Sequence, residues 1–351
     1  MRIIFSPRYN ISLIPYDIPD LIVNEYKFII NSLSSTQISF HYEKMLDKED
    51  WLENILQLIY YFKYNSNIIL YSKEIIINET DIIIGIITRN LKNYKFPLTE
   101  LQSNNVSKYF EYDFFNKYSN RKTLDIASTF YRDSLNYYKD QLKKYPEKTH
   151  FKSLLEEAYY CQKNSIEKKL SLISRNITKP TKFFIKTIHK DWSWIIELQP
   201  NQSEKDIYLM FLNKFEYQWI ERINNVKDCI LIQEFAEIYY EYRFIIINNK
   251  IITGAACIEE FTPLNNKELK FDIQLRRDRL KVSEIEENKL IVLKYLNFAE
   301  KIVKKIDFNH YTLDVAFING EVGIIEVNPY LNVGYYASNL KLIMKEISTI
   351  H

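Results

Sequence analysis

The chain has 351 residues and a formal net charge of +2, with 47 Lys and Arg against 45 Asp and Glu. This balance excludes the strongly basic surface typical of nucleic-acid-binding proteins, and a hydrophobic content of 46% excludes a disordered chain. Only 5 glycines are present, and their spacing fits neither a G-x-G-x-x-G fingerprint nor a Walker A loop, so these phosphate-binding motifs are excluded as well.

Cysteines and histidines give no sign of a disulfide framework or a zinc site. Cys161, Cys229 and Cys257 form no C-x-x-C pair, and the histidines form no H-x-x-x-H spacing. Free thiols are typical of a reducing compartment, so the expected location is cytoplasmic. No apolar run approaches the ~20 residues of a membrane span. We therefore expect neither a membrane nor a nucleic acid as a partner, and the sequence does not specify the oligomeric state.

The N-terminal part predicts a small α/β domain over residues 1–120. Apolar patterns at strand and helix spacing indicate its elements. They are a strand at Arg2–Ser6, a helix at Asp47–Tyr64, a strand at Asn67–Ser72, a helix or strand–helix pair at Ile75–Leu91, and a polar stretch from Lys95 to Asn120.

A helical hairpin is predicted over residues 121–177. Its two helices are expected at Ile126–Lys144 and Phe151–Ile173, separated by Tyr145-Pro146-Glu147 because proline interrupts a helix. We interpret this hairpin as a connector, with the boundary to a C-terminal domain (178–351) at Thr178-Lys179-Pro180.

The C-terminal domain predicts an alternation of strands, helices and hairpins, which is an α+β arrangement. Asn248-Asn249 and Asn319-Gly320 are residues that tolerate positive φ and predict hairpin turns. The strands are expected at Thr181–Thr187, Cys229–Gln233, Tyr240–Ile247, Lys250–Cys257, Tyr311–Ile318 and Val322–Val327, and the helices at Ser203–Phe215, Asn288–Ile306 and Ser338–Ile347.

The last predicted hairpin carries Asp314, Glu326 and Asn328 in otherwise apolar strands. Burying a lone carboxylate costs several kcal/mol, so such groups need a cation. Carboxylate and amide oxygens are ligands typical of Mg²⁺ with bound phosphates. The alternative is a polar strand end in which Asn328-Pro329 opens a loop.

Strand register decides whether these three side chains meet. Glu326 and Asn328 are two positions apart and share a face. A two-residue Asn319-Gly320 turn without irregularity would place Asp314 on the opposite face. The metal hypothesis therefore requires a three-residue loop or a β-bulge, either of which puts Asp314 opposite Glu326.

Three further cationic residues, Arg243, Lys186 and Lys190, accompany these acids. Glu241 and Arg243 share a face of the preceding hairpin, where an Asn248-Asn249 turn predicts Gly254 opposite Arg243 and Ala256 opposite Glu241. Arginine suits bidentate recognition of phosphate or carboxylate, although an exposed same-face ion pair is the alternative. Lys186 ends an apolar strand and Lys190 follows it; they are phosphate-binding candidates or surface lysines that extend to solvent.

The ordered set of Lys186, Glu241-x-Arg243, Asp314 and Glu326-x-Asn328 resembles the ATP-grasp superfamily, and more closely a phage and bacterial clade named for an arginine and two lysines. The segments that carry the resemblance are FFIKTIHKDWSW, ILIQEFAEIYYEYRFIIINNKIITGAA and LDVAFINGEVGIIEVNPYLNVGYYASN. It implies an ATP-grasp fold of two α+β subdomains sandwiching ATP, preceded by the N-terminal α/β domain and the hairpin.

The resemblance also implies a chemistry. An ATP- and Mg²⁺-dependent carboxylate–amine ligase would form an acyl phosphate that an amine then attacks, acting on a carboxylate and an amine acceptor that are a peptide, a protein or small molecules. The roles that it implies are phosphate contacts from Lys186 and Lys190, an adenine and ribose border from Gln233, Glu234 and Phe235, phosphate or acyl-phosphate contact from Arg243 with Glu241 beside it, and Mg²⁺ ligation by Asp314, Glu326 and Asn328.

Two other functions remain open on the same residues. One is a non-catalytic, ATP-binding assembly protein that keeps the ATP-grasp fold. The other is a kinase that transfers the phosphoryl group to a non-carboxylate acceptor. No Ser/His/Asp or Cys/His arrangement indicates a protein nucleophile, which is consistent with all three.

Overall fold

The structure is a computed structural model of the full chain. It describes residues 3–6, 18–33, 48–64, 68–70, 76–78, 80–85, 98, 109, 112–128, 132–187, 193–215, 230–266, 268–278, 280–330 and 334–350. Within these residues the protein mixes helices and sheets, so the α+β class expected from the sequence is confirmed.

Helices and strands alternate along most of the described chain. The helices are α1 (Asp20–Leu33), α2 (Lys48–Tyr64), α3 (Tyr112–Tyr118), α4 (Arg132–Lys144), α5 (Thr149–Lys163), α6 (Ile166–Ser174), α7 (Glu204–Phe215), α8 (Ile285–Val303) and α9 (Leu340–Ile347). The strands are β1 (Ile3–Ser6), β2 (Ile68–Leu70), β3 (Ile82–Gly85), β4 (Thr123–Ala127), β5 (Thr181–Thr187), β6 (Ser193–Leu198), β7 (Ile230–Glu234), β8 (Ile238–Ile247), β9 (Lys250–Ala256), β10 (Tyr311–Ile318) and β11 (Glu321–Pro329).

Contacts between residues divide the chain into two compact units. Unit 1 comprises residues 1–109, 118–120 and 238–351, and unit 2 comprises residues 110–117 and 121–237. These units are defined by which residues pack together and not by continuous stretches of sequence. The predicted domain boundaries at residues 120 and 177 therefore stay a prediction.

Unit 1 contains a parallel sheet in the order β2-β1-β3. Its central strand is buried, with Ile3 and Ile4 at 1% and 0% exposure. Ile3 belongs to the same apolar cluster as Ile55 of α2, Ile245 of β8 and Met344 of α9. Burial of apolar surface therefore joins the beginning and the end of the chain in one core.

The second sheet of unit 1 has the order β11-β10-β8-β9 and is antiparallel throughout. Both predicted hairpin turns are confirmed. Asn248 and Asn249 adopt φ of 53° and 58°, and Asn319 and Gly320 adopt 53° and 88°, which are the positive values that a two-residue turn of type I′ requires. This sheet carries most of the candidate site.

Unit 2 is built on an antiparallel sheet in the order β4-β7-β5-β6. Its core joins Phe183 and Ile185 of β5 to residues of α6 and α7, such as Leu170 and Phe211. Helix α7 begins as predicted, because the Ser203 hydroxyl accepts a hydrogen bond from the Asp206 backbone at 3.2 Å while the Asp206 carboxylate accepts one from the Ser203 backbone at 2.9 Å.

The predicted start of the first connector helix, at Ile126, is wrong. Ile126 lies in strand β4, which pairs with β7 and brings Ala127 opposite Ile230. Edge pairing satisfies the backbone there, and α4 begins only at Arg132. The second predicted helix is interrupted at Ser165, whose hydroxyl caps α6 by accepting from the Lys168 backbone at 3.4 Å.

Four elements of the structure were not predicted, namely helices α1 and α3 and strands β4 and β6. Helices α1 and α3 lie in segments whose apolar residues are interrupted by Asn, Lys or Tyr. Strand β6 is stabilised by its pairing with β5, which brings Ile196 opposite Phe183. No helix among the described residues is both long enough and apolar enough to cross a bilayer.

Gly254 of β9 provides a test of this sheet. A Cβ atom on Gly254 would lie 2.5 Å from the Tyr242 ring and 2.9 Å from the Arg243 carbonyl oxygen. We expect Gly254→Ala to lower the free energy of unfolding by about 1–3 kcal/mol, because a packed core does not yield to an added methyl. Urea unfolding followed by circular dichroism measures it.

The matched control is Gly320→Asn, because Gly320 has no neighbour within 4 Å of such a Cβ atom and adopts a φ of +88°, in the positive range where asparagine is tolerated. We expect a change of less than about 0.5 kcal/mol there. Equal losses in both variants would contradict the crowding at Gly254.

Candidate functional site

Asp314 and Glu326 lie directly opposite each other on the final hairpin. The turn itself has two residues, since Ile318 pairs with Glu321, and the register then shifts between Asp314 and Val315. A β-bulge in β11 therefore produces the alignment, which is one of the two arrangements that the metal hypothesis requires.

Arg243 faces the same carboxylate from the neighbouring strand. It lies opposite Asp314 in the pairing of β8 with β10. Its Nε donates to Asp314 Oδ1 at 2.7 Å and its Nη2 donates to Oδ2 at 2.6 Å. Nη2 also lies 3.6 Å from Glu326 Oε1. The Arg243 and Asp314 side chains are 7% and 0% exposed, so this is a buried bidentate ion pair.

Asn328 links the two acids. Its Nδ2 donates to Glu326 Oε1 at 2.9 Å and to Asp314 Oδ2 at 3.2 Å. Asn328 and Glu326 are 5% and 7% exposed. The structure therefore brings Arg243, Asp314, Glu326 and Asn328 together in one hydrogen-bonded cluster, which we call the acid cluster.

Burial and charge oppose each other in the acid cluster. Burial raises the pKa of the Asp314 carboxyl, Arg243 lowers it and Glu326 adds to the rise, and the net result is a pKa of about 6. Burial alone would lower the pKa of Arg243, but the Asp314 carboxylate outweighs it and holds that pKa well above its usual value. At neutral pH both groups are charged.

Tyr336 and Gly334 complete the surroundings of Arg243. The guanidinium carbon lies 5.2 Å from the centre of the Tyr336 ring, a distance at which cation–π attraction operates. Arg243 Nη1 donates to the Gly334 carbonyl oxygen at 3.3 Å. Tyr336 has a φ of 48°, a left-handed conformation that costs about 1–2 kcal/mol in a residue other than glycine. The fold thus accepts backbone strain where this ring covers the guanidinium.

The predicted partners across the β8–β9 hairpin are wrong by one residue. Arg243 lies opposite Ala255, and Gly254 lies opposite Phe244, because the register shifts between Ile245 and Ile246. The same shift removes Ala256 from Glu241, whose carbonyl oxygen accepts a hydrogen bond from the Cys257 backbone at 2.9 Å. A second β-bulge is the cause.

Lys186 and Gln233 lie in unit 2, on the sheet of β5 and β7. Gln233 is opposite Phe184, which is two positions from Lys186, so the three share a face. Lys186 is half-buried. Gln233 is fully buried, and its Nε2 donates to the Thr123 hydroxyl at 3.0 Å. No donor among the described residues reaches its Oε1.

The structure describes Glu234 and Phe235, two of the other residues predicted to contact the nucleotide. Glu234 exchanges hydrogen bonds with Lys122, whose backbone donates to the Glu234 carboxylate at 3.2 Å. Phe235 is 40% exposed, and the Lys182 ammonium lies 5.8 Å from its ring centre. Lys190 lies outside the described residues.

Sequence reasoning missed Arg121 and Cys257. Arg121 is 3% exposed, and its guanidinium lies 5.1 Å from the centre of the Phe184 ring; no motif marks it. Cys257 lies beside Glu241, and its burial raises the pKa of its thiol well above the usual value. Counting across the hairpin with a bulge included would have found Cys257.

The donor set of the acid cluster fits Mg²⁺. Two carboxylates and one amide converge from two strands, they are hard ligands, and they are buried together. As it stands, the amide of Asn328 presents its nitrogen to the acids, so its oxygen becomes a ligand only when the amide turns over. Arg243 supplies the positive charge that Asp314 requires in this arrangement.

No protein-family model and no curated protein matches the sequence. Among solved structures, D-alanyl-alanine synthetase A from Vibrio cholerae is 10% identical at a TM-score of 0.37, with 99% of this chain and 93% of that chain covered. C-terminally truncated Cdc123 from Schizosaccharomyces pombe is 12% identical at a TM-score of 0.34, with 72% and 94% covered.

The ATP-grasp ligase PsnB, solved with a minimal precursor, is 12% identical at a TM-score of 0.26, with 63% of this chain and 76% of that chain covered. Proteins with an ATP-grasp fold are thus among the structural neighbours. The identities and scores are low, so the chemistry of this chain rests on its own side chains.

A double-mutant cycle tests the buried ion pair. We expect Arg243→Met to lower the free energy of unfolding by about 3–5 kcal/mol, because it leaves Asp314 buried without a counter-charge. The Arg243→Met/Asp314→Leu double variant should lose clearly less than the sum of the single losses. Urea unfolding of the four proteins measures the coupling.

The pair Lys143–Asp140 is the matched control, since its side chains are 82% and 75% exposed. Lys143→Met should leave the unfolding midpoint unchanged, as expected for an exposed ion pair. Additive losses at Arg243 and Asp314 would contradict a direct interaction between them.

Proposed function

We propose that the protein is an ATP- and Mg²⁺-dependent carboxylate–amine ligase of the ATP-grasp superfamily, from the clade named for an arginine and two lysines. The observation that carries this proposal is the acid cluster, in which two carboxylates, an amide and an arginine meet on one buried sheet face. Such a set combines ligands for a hard cation with a donor for phosphate oxygens.

In this proposal Asp314, Glu326 and Asn328 hold Mg²⁺, which when bound supplies positive charge to phosphate oxygens. Arg243 binds the γ-phosphoryl group or the acyl phosphate through two adjacent nitrogens, the same geometry with which it now binds Asp314. Glu241, two positions along the strand, orients the phosphate-bound arginine. Lys186 and Lys190 contact phosphates as compact cations.

Gln233, Glu234 and Phe235 border adenine and ribose in this proposal. The buried Gln233 Oε1 supports it, because an acceptor without a donor among the described residues suits an amino group on a bound base. The half-exposed Phe235 ring, two residues along the chain, offers an apolar surface.

The reaction proceeds in two displacements. A carboxylate oxygen of the substrate attacks the γ-phosphorus, and the bond to ADP breaks. The amine nitrogen then attacks the acyl carbon, phosphate leaves, and the amine loses a proton to solvent. The protein acts by positioning and charge stabilisation, so it requires no nucleophile of its own.

Ligand-dependent stability tests nucleotide binding. We expect ATP with Mg²⁺ at about 100-fold above its dissociation constant to raise the free energy of unfolding by about 2.7 kcal/mol. ATP with a chelator should give a clearly smaller effect, because the acid cluster would then repel the triphosphate. Thermal unfolding with each addition measures it, with Mg²⁺ alone as the control. No shift with either would remove nucleotide binding from the proposal.

Conservative variants of the acid cluster test turnover. We expect Glu326→Gln to reduce ADP release at least about 100-fold, in the range seen when one charge-stabilising group is lost, while the circular dichroism spectrum is kept. Glu321→Gln is the matched control, because Glu321 is an exposed residue of the same strand, and it should retain the parent rate. Parent turnover in Glu326→Gln would remove Glu326 from the mechanism.

The products separate the three functions. ADP and phosphate released only when an amine and a carboxylate are both present identify a ligase. ADP with a phosphorylated product identifies a kinase. Nucleotide binding without turnover across a panel of amines and carboxylates favours the assembly protein.

A further inference from the structure

Cys257 lies at the edge of the acid cluster and has no role in the proposed ligase chemistry. It follows β9 directly, and its backbone donates to the Glu241 carbonyl oxygen at 2.9 Å. Arg243 lies opposite Asp314, and a carboxylate oxygen of Glu241 lies within 4.8 Å of an Asp314 oxygen, so both side chains reach the face that carries Asp314. The Cys257 residue is half-buried.

Three ligand atoms of different residues converge at this place. The Cys257 sulfur, one Glu241 carboxylate oxygen and one Asp314 carboxylate oxygen all lie within 4.8 Å of one another. Zinc forms bonds of about 2.0–2.3 Å to oxygen and sulfur, which separates tetrahedral ligand atoms by roughly 3.5 Å. Small side-chain rotations therefore close the set around one ion.

The local charge favours a cation. Glu241, Asp314 and Glu326 contribute three carboxylates to this face, and Arg243 contributes one guanidinium that already binds Asp314. Asp314 Oδ2 accepts from both Arg243 and Asn328, whereas Oδ1 accepts from Arg243 Nε and retains a second lone pair for a metal ion. A divalent ion would add positive charge where three carboxylates meet one guanidinium.

We propose that Glu241, Cys257 and Asp314 form a second metal site, selective for a thiophilic divalent cation such as Zn²⁺ or Co²⁺. The site uses three protein ligands and leaves a fourth position for water, the pattern of an open zinc site. Binding forms the metal–sulfur bond and releases the thiol proton to solvent. No redox change is involved.

Because Asp314 is shared, metal binding at this site would affect the proposed ligase activity. This consequence, unlike the site itself, rests on the proposed function. Asp314 belongs both to the proposed Mg²⁺ ligands and to the thiophilic set. An ion held by Cys257 draws Asp314 and Glu241 towards it, so it competes with binding of Mg²⁺ and ATP. Zn²⁺ is then an inhibitor whose potency depends on the Cys257 sulfur.

A Co²⁺ titration of the metal-free full chain tests the site. We expect a thiolate-to-cobalt charge-transfer absorption in the near ultraviolet that saturates at one Co²⁺ per chain and disappears when Zn²⁺ is added. Cys257→Ser should abolish the absorption, whereas Cys161→Ser and Cys229→Ser should retain it. Glu241→Gln should raise the dissociation constant of Co²⁺ at least about tenfold, the lower limit reported even for second-shell partners.

The same titration defines what would overturn the site. Loss of the absorption in Cys161→Ser or Cys229→Ser instead of Cys257→Ser places the thiolate ligand elsewhere. An unchanged dissociation constant in Glu241→Gln shows a lone thiolate with an adventitious ion, and no absorption in the parent chain refutes thiolate ligation altogether.

Alkylation of the parent chain gives a measurement that needs no variant to fold. We expect saturating Zn²⁺ to slow iodoacetamide modification of Cys257 at least about tenfold, as mapped by peptide mass spectrometry, with Cys161 and Cys229 as internal references. An unprotected Cys257 refutes the site. Cobalt absorption without nucleotide binding keeps this site and removes the ligase proposal, whereas nucleotide binding without absorption does the reverse.

Discussion

The bidentate pairing of Arg243 with Asp314 is the interaction on which the acid cluster depends. Removing both charges from water costs several kcal/mol each, and only well-aligned hydrogen bonds recover that cost. The structure supplies them from adjacent strands, with donor–acceptor distances of 2.7 and 2.6 Å. Apolar residues of equal volume at these two positions would stabilise the sheet equally well. A buried pair at this position is therefore more readily explained by what the two groups bind than by what they contribute to folding.

One β-bulge aligns the acids of the cluster, and a second one sets which residues of β9 lie opposite Arg243. In β11, Ile325 is the extra residue between the pairs Val315–Ile324 and Asp314–Glu326. In β9, Ile252 is the extra residue between the pairs Ile246–Ile251 and Ile245–Thr253. Without the first bulge, Asp314 and Glu326 would lie on opposite faces. A local irregularity of one residue thus determines whether the cluster exists.

The bulges also mark where sequence reasoning reached its limit. Both hairpin turns were predictable, because Asn248-Asn249 and Asn319-Gly320 are residues that adopt positive φ. Each extra residue is an isoleucine inside an isoleucine run, and nothing in its side chain distinguishes a bulged position from a paired one. The need for a bulge could be deduced on the last hairpin, where acids had to meet. On the β8–β9 hairpin no such requirement was visible, and the predicted partners of Arg243 and Glu241 were wrong.

Elements with strong local signals were predicted well, and those that depend on distant pairing were not. The Ser203 cap and the strand Thr181–Thr187 follow from local chemistry. Strand β4 carries a helix-compatible sequence and is a strand only because β7 pairs with it.

The sequence indicated only a free thiol at Cys257 for a related reason, since its neighbours Glu241 and Asp314 come from other strands. Asp314 therefore lies near two kinds of metal ligand, the oxygen ligands of the acid cluster and the sulfur of Cys257. Hard Mg²⁺ binds the oxygens and loses its water reluctantly, whereas a borderline-soft ion gains from the sulfur. Which of the two ions binds therefore depends on the availability of each ion as well as on the fold.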